Sequence, residues 1–174
     1  MHDILELNYK DIKKIISTTI DKTYNRDKSI LQPKLESYDY PVFTFSCKAI
    51  TTKNRERWFQ KIYFPDLDNI FYSDNYDADS AMAALRSDKK RAIDLVASDM
   101  QINCDCPSYT YHGAAYNNYK IDIGFDSKKV VAPSQSKNKN NSLCKHLRAV
   151  IQVLPFLWSD ILREIKADLA NKRQ

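Results

Sequence analysis

Three cysteines and one histidine fall in two matched pairs, Cys104-Asp105-Cys106-Pro107 and Cys144-Lys145-His146. Each pair is a C-x-[CH] step, and together they supply three thiolates and an imidazole, a donor set that suits zinc. The first pair follows Gln101-Ile102-Asn103, which reads as a strand. In extended chain, residues two apart point the same way, so Cys104 and Cys106 face one ion and Pro107 then turns the chain away. The second pair cannot lie wholly inside a helix, where residues i and i+2 diverge by about 200°. Cys144 is therefore placed at or just before a helix N-cap, with His146 in the first turn; the positive helix end there also favours a thiolate. Cys47 stands alone on the apolar face of an alternating run and reads as core. His112 lies in a loop outside the paired pattern and stays open as a competitor to His146, whereas His2 reads as a frayed terminus.

Four protein ligands close a zinc site, while a catalytic zinc keeps one position open for water. The zinc is accordingly expected to be structural. The H-x-E of zinc deaminases and the H-E-x-x-H of metalloproteases are both absent, and no histidine shows a nucleophile partnership. Gly113 and Gly124 are the only glycines, so neither GxGxxG nor GxxxxGK[ST] can be built. A non-enzymatic protein without a small-molecule substrate is the expectation.

The elements that must position these residues are legible in the hydrophobic periods. Residues 8–24 read as a helix capped by Asn8, with Ile12, Ile15, Ile16 and Ile20 on one stripe. Residues 24–40 are polar, contain Pro33, and read as a connector. From Pro41 the period becomes two: Phe43, Phe45, Cys47 and Ala49 alternate with polar residues. A polar turn then leads to a second run in which Trp58, Ile62 and Phe64 share a face, so a β-hairpin ended by Pro65 is expected. Asp79-Ser80 precedes the helix former Ala81-Met82-Ala83-Ala84-Leu85, and a second helical segment is expected at 88–97. Lys120–Phe125 alternates as a further strand, and 127–142 reads as a loop. Helical period returns with Leu143, Leu147, Val150, Ile151 and Leu154, Pro155 interrupts or kinks it, and Ser159-Asp160 is expected to cap a last helix carrying Ile161, Leu162, Ile165 and Leu169.

The expected architecture is α+β: a small antiparallel sheet with helices packed on one side and the C-x-C…C-x-H zinc site. Residues 1–40 would form the N-terminal helix and connector, and 41–174 the zinc-binding domain with its C-terminal helices. The chain's 174 residues, 43% hydrophobic and 28% charged, suffice for one cored domain, or one with a short appendage. No apolar run approaches the length of a membrane span, and no secretory signal is visible, so synthesis in a reducing cytoplasm and free cysteines are expected.

The formal net charge of +5 has one location. Lys128, Lys129, Lys137, Lys139, Lys145 and Arg148, set against Asp126 alone, account for the whole excess. Such a segment attracts phosphates or an acidic protein face. Tyr109, Tyr111, Tyr116 and Tyr119 form an aromatic cluster after the first cysteine pair, and Tyr116 and Tyr119 join the basic residues as candidate partner or nucleic-acid contacts.

A C-x-C…C-x-H pattern with a strand before it and a helix after it resembles the SWIM-type zinc finger. That family folds a short hairpin and a helix around one zinc and binds nucleic acid or protein. By position, the resemblance implies Cys104, Cys106, Cys144 and His146 as ligands, although 37 residues separate Cys106 from Cys144, more than in a typical cellular member. The run Cys104-Asp-Cys-Pro-Ser-Tyr-Thr-Tyr111, then Pro133, Asn141 and Leu143-Cys-Lys-His-Leu147, is similar to the SWIM-like variety of tailed bacteriophages. That resemblance implies a virion component such as a connector, tail or head accessory protein. Its partners would be other virion proteins or copies of itself, and nucleic-acid binding through 126–148 is the alternative.

Overall fold

The computed structural model describes residues 31–49, 57–72, 77–88, 92–93, 100–111 and 143–172. The helix expected at 8–24, the strand at 120–125 and the loop at 127–142 lie outside them, as do all but a few residues of the segment at 88–97.

Four antiparallel strands run in sequence order across one sheet: β1 (Leu31–Asp39), β2 (Val42–Ala49), β3 (Arg57–Tyr63) and β4 (Gln101–Cys104). The β2–β3 hairpin and its extension by β4 follow the alternation of the sequence. Two rows of side chains cross the buried face, Phe43–Ile62–Ile102 and Phe45–Gln60–Cys104. Every residue of these rows is 3% exposed or less, which fixes the register, since a one-residue slip would turn both rows to solvent.

β1 corrects the expectation of a connector through Tyr40: Leu31–Asp39 is a strand paired with β2. A register irregularity between Leu35 and Ser37 hides the strand in the sequence. Leu35 pairs with Phe45 and Tyr38 with Phe43, so two residues three apart reach the same face, and the period of two is broken. Pro33 is tolerated because β1 is the outermost strand of the sheet among the described residues. At the irregularity, the Glu36 carboxylate accepts hydrogen bonds from Ser46 Oγ and from Arg57 at 2.9 Å, and the Ser46 bond is the main cause holding it below the usual carboxylate range.

Two short helices follow β3, namely α1 (Pro65–Phe71) and α2 (Ala78–Ser87). Pro65 starts α1 at its first turn, where a missing N–H costs nothing. Asp77 caps α2 by accepting from the Asp79 N–H. After β4 come α3 (Pro107–Tyr111) and the long α4 (Lys145–Lys172). Among the described residues, no helix is long and apolar enough to cross a membrane.

α4 corrects a second expectation, because it runs unbroken through Pro155 and through the proposed cap at Ser159-Asp160. Leu147, Val150, Ile151, Leu154, Trp158, Ile161, Leu162 and Ile165 make one continuous buried stripe, in register on both sides of the proline. Burying these side chains at roughly 1.5–3 kcal/mol each outweighs the roughly 3 kcal/mol that an interior proline costs. Asp160 instead pairs with Arg163 at 2.8 Å on the exposed side.

The end of α4 is held by phenols. Tyr72 donates to Asp168 at 2.6 Å, and its hydroxyl lies 3.2 Å from that of Tyr38, which stacks on Phe43 with centroids 4.2 Å apart. Lys172 pairs with Asp168 at 3.0 Å and sits over the rings of Tyr40 and Tyr72. Burial pushes Tyr38 and Tyr72 well above the ordinary phenol range, and the hydrogen bond to Asp68 lifts Tyr63 to about 12. Each folded value lies above its unfolded one, so the contribution to stability is complete below pH ~10 and is lost as pH rises through the folded values. The melting temperature is therefore expected to hold level to about pH 9 and fall from about pH 10 upward. Tyr72→Phe should shallow that fall; thermal melts of both proteins across this range check it.

Candidate metal centre

Cys104 ends β4, where its cross-strand neighbour is Gln60. Asp105 carries the pairing one step further: its N–H donates to the Phe59 carbonyl at 3.2 Å, and its carboxylate accepts from the Phe59 N–H at 2.8 Å. Cys106 then precedes α3, with Pro107 as the first helical residue. The Cys106 carbonyl accepts from the N–H groups of Tyr109 and Thr110, while its sulfur accepts from the Tyr109 N–H at 3.3 Å.

The second pair repeats this design. Cys144 lies immediately before α4; its carbonyl accepts from the Arg148 N–H at 3.1 Å, and its sulfur accepts from the Leu147 N–H at 3.5 Å. His146 is in the first turn, as the two-residue spacing requires. Two cysteines thus stand at the starts of two helices, each sulfur bonded to an amide of the first turn.

These elements converge. One donor atom from each of Cys104, Cys106, Cys144 and His146 lies within 4.8 Å of every other, and all four residues are buried. A tetrahedral zinc with Zn–S of about 2.3 Å holds its sulfurs roughly 3.8 Å apart, so the cluster is of the right size. All four cysteines are free thiols. Both ring nitrogens of His146 are buried without a hydrogen-bond partner among the described residues. A buried imidazole in that condition costs stability unless a cation takes up a lone pair.

Charge points the same way. The neighbouring Cys104 and Cys144 thiols, His146 and the Tyr109 N–H hold Cys106 far below the ordinary thiol range. Burial, then Cys106, pushes Cys104 well above it, and burial, then both neighbouring sulfurs, does the same to Cys144. Burial and mutual repulsion oppose ionising all three sulfurs together, and a bound dication would offset both. Cys104, Cys106, Cys144 and His146 would hold such an ion, whose chemistry here is to join two chain segments.

Cys47 stays outside the donor set. Its buried thiol donates weakly to the His146 carbonyl at 3.6 Å, and burial pushes it up to about 12, with the Cys106 charge adding. Cys47→Ala is expected to retain one zinc per chain by metal analysis. A loss of zinc in that variant would make Cys47 a ligand.

Of the other sequence-chosen residues, Lys145 is half-buried and Arg148 only 6% exposed. Lys128, Lys129, Lys137, Lys139, Tyr116, Tyr119 and His112 lie outside the described residues. Tyr109 is core: its hydroxyl donates to the Ile102 carbonyl at 3.1 Å. Sequence reasoning missed two neighbours of the site. Trp58 lies against His146 with ring centroids 6.3 Å apart, and Gln60 donates to Cys104 Sγ at 3.5 Å. The signal for Gln60 is a polar residue at a core-facing position between Trp58 and Ile62.

The fold and site together define a small α+β domain with a buried cysteine–histidine cluster that could hold a metal ion. The family model of the SWIM zinc finger matches residues 88–120. That stretch includes Cys104 and Cys106; the structure adds Cys144, just before α4, and His146, in its first turn. The match is to the zinc finger as such and carries no phage-specific variety. No curated protein and no solved structure matches the chain. The match and the cluster point to a zinc-binding interaction domain.

Proposed function

We propose that the protein is a non-enzymatic, zinc-stapled interaction module. The observation that carries this reading is the closure of the donor cluster: four protein ligands within 4.8 Å of one another, all buried, leave no coordination position for a substrate or water. The ion would tie the end of β4 to the start of α4, a join that chain connectivity makes only across the 40 residues between Cys104 and Lys145.

The finer proposal places this module in a tailed-phage virion, contacting other virion proteins or copies of itself. Its support is the likeness of the two cysteine motifs and their flanking residues to phage SWIM-like proteins. Mass spectrometry of purified particles should then detect the chain, and the zinc-loaded protein should associate with itself or with a particle protein in solution. A monodisperse monomer absent from particles would remove the virion role and leave the zinc module standing. The nucleic-acid alternative has weaker support, since Arg148 is enclosed by protein.

A further inference from the structure

The buried face of β3 reads Trp58, Gln60, Ile62, and its central residue is a primary amide with no exposure at all. Placing an amide there carries a desolvation cost that packing does not offset. Its Nε2 donates to the Trp58 carbonyl two residues back at 2.9 Å and to Cys104 Sγ at 3.5 Å. Its Oε1 has no hydrogen-bond partner among the described residues. An apolar side chain would fill the position with less penalty, so a local packing role does not explain a glutamine here.

The neighbouring sulfurs do. Cys106 accepts from the Tyr109 N–H and Cys144 from the Leu147 N–H, both backbone groups at helix starts. Cys104 ends a strand and has no helix N-terminus of its own; its backbone N–H is turned to the Asn103 side chain at 2.7 Å. Gln60 supplies the missing donor from the next strand, across the Gln60–Cys104 pair. Each sulfur of the cluster thereby accepts one N–H. Three thiolates and a neutral imidazole around a dication leave one net negative charge in a fully buried site, and three N–H dipoles aimed at the sulfurs offset it.

We infer that Gln60 is a positioning residue of the metal centre, whose side-chain amide orients Cys104 and lowers the charge on its sulfur. This rests on the zinc reading above.

Cobalt titration of the full chain, with chelator competition for zinc, tests it. The parent should bind one cobalt with tetrahedral d–d bands and a thiolate-to-metal charge-transfer band. In Gln60→Leu, loss of the N–H···S bond leaves more electron density on sulfur, so the charge-transfer band should move to lower energy and zinc affinity fall about ten-fold or more. Gln60→Glu, nearly isosteric but presenting a carboxylate, should weaken binding further; it also serves should Gln60→Leu not fold. Ile62→Val, on the same face of the same strand, should lower thermal stability and leave the band in place. A parent with thiolate bands and a Gln60 variant with the same band energy and the same affinity would overturn the role of Gln60 alone. A parent without thiolate bands would overturn the zinc reading and this inference with it.

Discussion

Cys144→Ser is expected to lower the melting temperature by ~15 °C or more, or to abolish the cooperative transition, with loss of bound zinc. The size follows from comparing two quantities. A structural zinc contributes about 10–16 kcal/mol of apparent binding free energy in finger peptides at neutral pH, whereas whole domains are stable by about 5–15 kcal/mol. Serine is among the best N-cap residues, so the substitution keeps the cap of α4 and removes only the thiolate. The loss would therefore report on the metal. Chelation of the parent should reproduce it, and re-addition of zinc should reverse it. Because the sulfurs must shed protons to bind, affinity should weaken as pH falls. Unchanged melting after complete chelation would contradict the staple.

Trp158→Ala is expected to destabilise the protein by about 3–5 kcal/mol, roughly 10 °C in melting temperature. Trp158 is the largest of the fully buried side chains on α4 and joins that helix to α2 through its indole N–H, which donates to the Leu85 carbonyl at 3.2 Å. Truncation opens a cavity and leaves that carbonyl without its donor. Trp158→Phe keeps most of the volume and should cost about 1–2 kcal/mol. Trp158 lies more than three helical turns beyond His146, so zinc content should stay at one per chain in both variants. Thermal melts paired with metal analysis separate the two effects; zinc loss in Trp158→Ala would mean that core and centre do not come apart in this way.

What the sequence disclosed about the site was local. Two-residue spacing and a helix start placed Cys144 and His146 correctly, because helical geometry leaves no other arrangement in which both reach one ion. The β2–β3 hairpin and β4 were legible for the same reason: their alternation is uninterrupted. β1 was not, since the irregularity between Leu35 and Ser37 shifts the core parity and erases the period of two. α1 and α3 were missed because Pro65 and Pro107 read as terminators, whereas proline in a first turn begins a helix. Pro155 misled in the opposite sense: the buried stripe of α4 is a tertiary fact that outweighs a local propensity. Gln60 shows the boundary most clearly. Its residue type marks an anomaly on an apolar face, but its partner, Cys104, is 44 positions away and is brought alongside only by the β3–β4 register.

Zinc K-edge X-ray absorption on the purified protein tests the metal centre most directly. The expected spectrum fits three sulfurs at about 2.3 Å and one nitrogen at about 2.0 Å. A shell of oxygen and nitrogen alone, or protein that retains no zinc, would contradict it.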